Sequence, residues 1–154
     1  MDLFLLRHAE AGEAPRDEDR VLTKKGHEQA RAVAAGIDWL GLGLTAVLSS
    51  PLPRAMQTAQ PVADALSLDL ERAEALAPGR SPSEALALLA DRGDNVLLVG
   101  HEPQLSAIAQ AISGGRVHMR KAMLAHLELD SPNPAQGELA WLLAWRHLGR
   151  LGHA

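Results

Sequence analysis

The chain contains no cysteine, which excludes disulfide bonds, thiolate metal ligands and a cysteine nucleophile. Aromatic residues make up only 3% of it, so leucine and alanine must fill most of the core. No apolar run approaches the roughly 18 residues that a membrane-spanning helix needs. The first residues do not resemble a signal peptide, because an acid follows Met1 and the apolar run after it is short. These absences predict an intracellular, cytoplasmic protein without a membrane partner.

Positive charge is not in excess either. Fifteen Lys and Arg residues stand against 19 Asp and Glu residues, for a formal net charge of -4. A basic surface for nucleic acid or anionic lipid is therefore not expected, although a small local anion site is compatible with this balance. With 154 residues, of which 47% are hydrophobic, the chain is long enough for one ordinary core. We expect a single domain over residues 1–154.

Short apolar runs with the pattern of strands buried on both faces predict a parallel sheet. They lie at residues 3–6, 45–49 and 95–100, and weaker strand patterns lie at 68–70, 122–129 and 138–145. Helical patterns lie between successive strands up to the strand at 122–129, at about residues 24–40, 52–66, 81–89 and 104–112. The last two strands flank a turn that holds Pro132, Asn133, Pro134 and Gly137. This order predicts an α/β three-layer sandwich with a mainly parallel central sheet and a C-terminal antiparallel hairpin at one side.

Polar side chains follow each of the three buried strands. They are Arg7 and His8 after the first, Ser50 and then Arg54 after the second, and His101 and Glu102 after the third. The carboxyl ends of parallel strands lie along one edge of a sheet, so these residues are expected to meet in one pocket. Two arginines and two imidazoles suit a tetrahedral phosphoryl group, because guanidinium forks bind its oxygens and neutral imidazole can attack phosphorus.

These residues belong to four sequence blocks. In chain order the blocks are Leu6-Arg7-His8-Ala9-Glu10, Leu22-Thr23-x-x-Gly26-x-x-Gln29-Ala30, Ser50-Pro51-x-x-Arg54-Ala55-x-Gln57-Thr58-Ala59 and Val99-Gly100-His101-Glu102-Pro103. Together they resemble the signature of the histidine phosphatase (phosphoglycerate mutase-like) superfamily over roughly residues 1–113. The short chain and the wording of the first block resemble its SixA-type phosphohistidine phosphatase branch in particular.

The resemblance implies a role for each matching residue. His8 would be the nucleophile that accepts the phosphoryl group, and Arg7 and Arg54 would bind the phosphoryl oxygens. His101 would complete this clamp, and Ser50 stands where the family often has a hydroxyl near the phosphate. The family needs no metal and no other cofactor, so we expect none here.

One departure from the family pattern bears on the substrate. Many members place a carboxylic acid after the middle strands to protonate the leaving oxygen, yet residues 74–79 read Glu-Ala-Leu-Ala-Pro-Gly, with nothing acidic after Leu76. Glu10 and Glu102 are the remaining candidates for a proton donor, although a structural ion pair is at least as good an interpretation of each. Imidazole, with a pKa near 6.5, leaves with less protonation than an alkoxide, so the missing acid favours cleavage of a P–N bond.

The segment between Arg54 and His101 is also short. It has room only for its own helices and strands, and not for the long insert that covers the pocket in the mutases and many small-molecule phosphatases of the superfamily. An uncovered pocket suits a bulky substrate, such as phosphohistidine on a signalling or phosphotransfer protein. An unselective phosphatase would be equally compatible with it.

The sequence therefore predicts a metal-independent phosphohistidine phosphatase that acts through a phospho-His8 intermediate. The first alternative is a small-molecule phosphomonoesterase or mutase of the same superfamily. A metal-dependent hydrolase using His8, Glu10, His101 and Glu102 is disfavoured, because the adjacent arginines would repel a cation. A phosphohistidine-binding protein without activity is the last alternative, and the intact nucleophile argues against it. Five further histidines are expected to have no catalytic role: His27, His118, His126, His147 and His153.

Overall fold

The computed structural model describes residues 1–90, 92–132 and 135–153. Its strands are Asp2–Arg7 (β1), Ala46–Ser49 (β2), Leu70–Arg72 (β3), Val96–Gly100 (β4), Leu124–Pro132 (β5) and Ala135–Leu143 (β6). Its α-helices are Lys24–Leu40 (α1), Pro53–Ala65 (α2), Pro82–Leu86 (α3), Gln104–Ser113 (α4) and Trp145–Gly152 (α5). Short 3-10 helices lie at Asp17–Asp19, Glu74–Leu76 and Ala87–Leu89. Asn133 and Pro134 of the predicted turn lie outside the described residues.

The six strands form one mixed sheet in the order β3-β2-β4-β1-β5-β6. The strands from β3 to β1 are parallel to their neighbours, whereas β5 runs antiparallel to β1 and β6 antiparallel to β5. The predicted mainly parallel sheet with an antiparallel hairpin at one side is thus confirmed. Because β4 lies between β2 and β1, the carboxyl ends of these three strands are adjacent.

Side chains alternate across the sheet and build a core on each face. Along β1, Phe4 and Leu6 point into one core while Leu3 and Leu5 point into the other. The first core contains the apolar faces of α1, α2 and α5, and the second contains those of α3 and α4. This arrangement confirms the predicted three-layer sandwich. Among the described residues, no helix combines the length and the apolar character needed to cross a membrane.

The C-terminal region differs from the sequence prediction. A strand was expected over residues 138–145, but β6 ends at Leu143 and Trp145 begins α5. This helix packs on α1 at backbone distance, because a Cβ atom on Gly36 would lie 2.5 Å from the carbonyl oxygen of Leu148. A Cβ atom on Gly152 would likewise lie 2.5 Å from the Cβ of Ala35. Glycines that permit this approach are poor helix formers, so the helix was not evident from local propensity.

Candidate active site

The ends of three neighbouring strands bring the two histidines together. His8 follows β1, Ser50 follows β2 and His101 follows β4. Backbone hydrogen bonds fix these positions, since the His8 N–H donates to Gly100 O at 3.1 Å and the Ser50 N–H donates to Val99 O at 2.9 Å. The imidazole rings of His8 and His101 are buried, and their centroids lie 5.1 Å apart.

His8 is held in one tautomer with one nitrogen free. Its Nδ1 lies 2.8 Å from the carbonyl oxygen of Ala9, which can only accept a hydrogen bond, so Nδ1 carries the ring proton when the ring is neutral. Burial, together with the positive charges of Arg54 and Arg7, lowers the pKa of His8 from 6.5 to about 4. At neutral pH the ring is therefore uncharged, and Nε2 keeps the lone pair that a nucleophile needs.

A chain of hydrogen bonds also orients His101. The Leu52 N–H donates to Ser50 Oγ at 3.2 Å, and Ser50 Oγ lies 2.7 Å from His101 Nε2. Burial first, and then the charge that His8 carries when it is protonated and the charge of Arg54, lower the pKa of His101 from 6.5 to about 3, so its ring is neutral at neutral pH. In one tautomer the Ser50 hydroxyl donates to Nε2 and the ring proton of His101 lies on Nδ1, and in the other Nε2–H donates to Ser50 Oγ. Nδ1 is buried and has no hydrogen-bond partner in the described part of the chain.

Two guanidinium groups, the buried one of Arg54 and the partly buried one of Arg7, complete the cationic part of the site. Arg7 donates from Nη1 to the carbonyl oxygen of Met119 at 2.9 Å, and burial lowers its pKa despite the opposing charge of Glu102. Arg54 donates from Nη1 to the carbonyl oxygen of Asp17 at 2.8 Å and from Nη2 to its Oδ2 at 3.0 Å. The Nε atoms of both arginines are buried without a partner among the described residues. Buried N–H donors without partners are the groups that an oxyanion satisfies.

Arg54 is positioned by a short link between α2 and the end of β1. It stands in the first turn of α2, directly after Pro53, which suits a helix start. The Thr58 hydroxyl donates to the Arg54 carbonyl at 2.7 Å and accepts the Ala9 N–H at 2.9 Å. Thr58 thereby sets the distance between the arginine and the residue next to His8. It belongs to one of the four sequence blocks, but the sequence alone assigned it no role.

The loop between β1 and α1 is fixed by side chains of the helices below it. Gln29 Oε1 accepts the Glu10 N–H at 2.9 Å, and Gln57 Oε1 accepts the Leu22 N–H at 2.8 Å. Gly26 must lack a side chain here, because a Cβ atom would lie 2.0 Å from the Glu10 carbonyl oxygen. These contacts explain the polar and glycine positions of the blocks. They also fix both ends of the loop that carries Asp17.

Asp17 and Arg20 are the site residues that sequence reasoning missed. The charge cluster at residues 16–20 was interpreted as solvated, yet Asp17 forms an ion pair with Arg54 and a 3.2 Å contact with Arg20 Nη1. Hydrogen bonds from Arg20 and Arg54 lower the pKa of Asp17, so it remains ionised. The three-residue spacing that lets Asp17 contact Arg20 is visible in the sequence. The contact of Asp17 with Arg54 is not, because it depends on how the loop folds.

The two predicted proton-donor candidates bind near helix starts. Glu10 accepts the Thr23 hydroxyl at 3.0 Å, at the N-cap of α1. Glu102 accepts the Ser106 N–H at 3.0 Å as well as the Ser106 hydroxyl, in the first turn of α4. In the described structure neither carboxylate is hydrogen-bonded to His8 or His101. Their assignment as proton donors stays a prediction.

The residues proposed for a metal-dependent alternative are not assembled into a ligand set. Among the described residues, the group of His, Asp and Glu whose ligand atoms lie within 4.8 Å of one another consists of Asp2, His126 and Glu128. These stand on β1 and β5, and none of the four residues His8, Glu10, His101 and Glu102 belongs to the group. His126 Nε2 already lies 2.7 Å from Asp2 Oδ1.

A family model described as the histidine phosphatase superfamily (branch 1) matches residues 3–77. The chain is 32% identical to phosphohistidine phosphatase SixA of Escherichia coli, over 94% of both proteins. It is 38% identical to an uncharacterized protein of Picosynechococcus sp. over 75% of both. Its fold matches a structure of the protein histidine phosphatase SixA complexed with tungstate, with a TM-score of 0.84, 27% identity, and coverage of 96% of this chain and 99% of the other.

Proposed function

The chain belongs to the histidine phosphatase superfamily and is a homologue of SixA, and from this premise we propose that it removes the phosphoryl group from phosphohistidine on a protein. One observation supports this proposal above the others. A neutral His8 with a free Nε2 stands near the buried Nε–H donors of Arg7 and Arg54 and the Nδ1 of His101, all three unpartnered among the described residues. That set combines a nucleophile for phosphorus with donors for its oxygens.

The reaction proceeds in two displacements at phosphorus. The substrate ring is first protonated by solvent on its non-phosphorylated nitrogen. The Nε2 lone pair of His8 then forms a bond to phosphorus while the P–N bond breaks, and the substrate ring leaves as neutral imidazole. Water attacks phospho-His8, releases inorganic phosphate, returns a proton to solvent and restores the neutral His8 ring. Arg7, Arg54 and His101 donate hydrogen bonds to the non-bridging oxygens, whose charge increases in each transition state.

The carboxylates around the site support a nitrogen leaving group. Asp17 is ionised by its two arginine partners, and Glu10 and Glu102 are engaged near the starts of α1 and α4. In the described part of the structure none of the three is hydrogen-bonded to His8. An alkoxide leaving group needs a proton donor in the site, whereas imidazole, with a pKa near 6.5, leaves as a neutral ring once solvent has protonated its other nitrogen.

Ser50 acts through His101 in this proposal. Its hydroxyl fixes His101 in the tautomer whose Nδ1–H is available to the phosphoryl group, so it is a positioning residue. The direct phosphate contact suggested for Ser50 by the sequence stays a prediction. No step requires a metal ion, because the charge of the phosphoryl group is met by guanidinium and imidazole N–H donors.

The test compares a phosphohistidine-bearing protein with p-nitrophenyl phosphate as substrates, in the presence of EDTA. We expect rapid hydrolysis of the phosphohistidine, slow hydrolysis of the ester and no effect of the chelator. His8→Ala should lose at least about a thousandfold in rate, because it removes the nucleophile. His27→Ala is the matched control, since His27 is exposed on α1.

Three results would contradict the proposal. Equal rates on both substrates would identify a general phosphomonoesterase instead. Inactivation by EDTA would exclude the metal-independent mechanism. An active His8→Ala protein, or failure to detect phospho-His8 by mass spectrometry after an alkaline quench, would exclude the covalent step.

A further inference from the structure

A cleft of about 630 Å³ lies beside the phosphoryl-binding residues, on the side of Arg7. We call it the basic cleft, because its lining includes Arg7, His118, Arg120, Lys121, Trp145 and Arg146. Its volume falls in the range of roughly 300–1,000 Å³ that whole ligands occupy in proteins, and a phosphoryl group alone needs far less. The cleft therefore offers binding space next to Arg7 that the chemistry itself does not use.

The exposed cations of the basic cleft have no carboxylate partner among the described residues. Arg120, Lys121 and Arg146 are exposed, and none has a carboxylate within 4.0 Å in the described part of the structure. Some surface arginines elsewhere are paired, as Arg80 is with Glu84 at 2.9 Å and Arg92 with Glu71 at 2.7 Å, whereas Arg31 and Arg150, which are unpaired within the described ranges, do not line this cleft. In a chain of net charge -4, this concentration of free cations is a local feature.

The loop that carries two of these charges is fastened to the end of β1. The Met119 carbonyl accepts the Arg7 Nη1 hydrogen bond, and the Ala122 N–H donates to the carbonyl oxygens of Arg7 and His8 at 3.0 and 3.2 Å. Arg120 and Lys121 stand between these two anchors. Their backbone is therefore fixed relative to the nucleophile, which favours a recognition surface over a solvated loop.

The opposite wall of the basic cleft is the start of α5. Arg146 lies in the first turn of this helix, whose N-terminal end contributes further positive potential. Trp145 stands beside it and is partly buried against the core. Close packing of Gly149 and Gly152 on α1 holds the helix in place. The loop that carries Arg120 and Lys121 and the start of α5 are thus anchored independently, and both present positive charge to the basic cleft.

We propose that the basic cleft binds an acidic segment of the substrate protein, next to the phosphohistidine. This inference rests on the proposed function, because a phosphohistidine on a protein is continued on both sides by polypeptide that must pass over the pocket rim. Acidic side chains in that polypeptide would pair with Arg120, Lys121 and Arg146 while the phosphoryl group lies against Arg7. Such complementarity raises the association rate and selects among partners.

The test uses two phosphohistidine peptides of equal length, one with four glutamates flanking the phosphohistidine and one with four glutamines in their place. The wild-type protein is expected to have a kcat/KM about tenfold higher on the acidic peptide at low salt, and this preference should shrink as salt is added. In the double variant R120Q/R146Q the preference should fall to about twofold or less, because a few surface ion pairs account for a preference of this size. Its rate on the glutamine peptide should be unchanged.

The matched control is the double variant R31Q/R150Q, which removes two exposed arginines that also have no described carboxylate partner. It should keep the preference for the acidic peptide. Equal kcat/KM of the wild type on both peptides, or an equal loss in both double variants, would overturn the docking inference while leaving the proposed function intact. Failure to hydrolyse either peptide would instead count against the proposed function. A third result would identify a small polyanion as the occupant of the cleft. Pyrophosphate would inhibit hydrolysis of both peptides, R120Q/R146Q would relieve this inhibition, and the wild type would show no peptide preference.

Discussion

The two arginines of the site are held in different ways. Arg54 is bonded to the carbonyl and the carboxylate of Asp17, so its charge is balanced by the chain. Arg7 is bonded to the Met119 carbonyl and has no carboxylate within 4.0 Å among the described residues, so that the charge of Glu102 opposes it only from a greater distance. The free cations of the basic cleft lie beyond Arg7. The Arg54 side of the proposed phosphoryl pocket is therefore closed by an ion pair, whereas the Arg7 side is open toward anions. An arginine side chain can therefore belong to a charge-neutralised binding site or to the edge of a recognition surface, depending on the groups to which it is hydrogen-bonded.

Removing each arginine should test this comparison most strongly. We expect Arg54→Ala to lower kcat/KM on a phosphohistidine protein by about a thousandfold and Arg7→Ala by about a hundredfold. The Arg54 variant should lose more, because it also leaves the ionised Asp17 with one arginine partner fewer, Arg20 remaining, beside the incoming phosphoryl group. Adding Asp17→Asn should recover part of the activity of Arg54→Ala and none of that of Arg7→Ala. Arg16→Ala, on the same loop as Asp17, is the control, and equal losses in the two single variants would refute the comparison.

The histidine between the two arginines should make stability depend on pH. His8 has a pKa of about 4 in the folded protein and 6.5 ordinarily, so between these pH values the unfolded chain binds more protons. The free energy of unfolding should therefore fall as pH falls, by about 2 kcal/mol from this group between pH 7 and pH 5. Urea unfolding at both pH values measures this change. His8→Asn should show a smaller fall, and a fall as large as that of the wild type would contradict the assignment.

The link from Ser50 to His101 should matter less than either arginine. Ser50→Ala removes the donor that fixes the His101 tautomer and is expected to lower kcat by about tenfold. Ser50→Thr keeps the hydroxyl and should restore most of the rate. In a His101→Ala background, Ser50→Ala should cost almost nothing further, because the two residues act as a unit. Additive losses in the double variant would assign Ser50 a separate role, such as the direct phosphate contact.

The smallest expected effect comes from removing the negative charge of Asp17 on the Arg54 side of the pocket. Asp17→Asn keeps the backbone acceptor for Arg54 but removes the negative charge, so oxyanions should bind more tightly by about threefold, given the exposure of Asp17. Tungstate inhibition of phosphohistidine hydrolysis measures this affinity. Asp19→Asn, which alters an exposed ion pair with Arg16, should leave it unchanged. Weaker tungstate inhibition of the Asp17 variant would mean that the carboxylate mainly positions Arg54.

The sequence predicted the central strands and the residues at their ends for the same reason. Buried parallel strands must be continuously apolar, and the first polar residue after such a run marks where the strand leaves the core. His8, Ser50 and His101 stand at these points, so the order of apolar and polar residues along the sequence was enough to locate them. The contact between Asp17 and Arg54 has no such signal, because it joins a polar loop to the start of a helix 37 residues away.

The end of the chain was predicted less well. Residues 141–145 form one apolar run, Trp-Leu-Leu-Ala-Trp, which hid the boundary between β6 and α5. The glycines in α5 lower its helical propensity, and its stability comes from contact with α1, which no local pattern shows. The wall of the basic cleft that α5 provides was consequently invisible before the fold was known.

The position of β1 in the sheet has a consequence for the time course of biosynthesis. This strand is made before the other five, yet its two neighbours are β4 and β5, and Leu3 pairs with Val96 on one side and with Leu127 on the other. At roughly 5–20 residues per second, a ribosome needs several seconds to go from Leu3 to even the first of these partners. His8 is thus translated well before both neighbours of its strand and must wait for them to reach its working position. A nascent chain that ends before His101 can hold no assembled active centre.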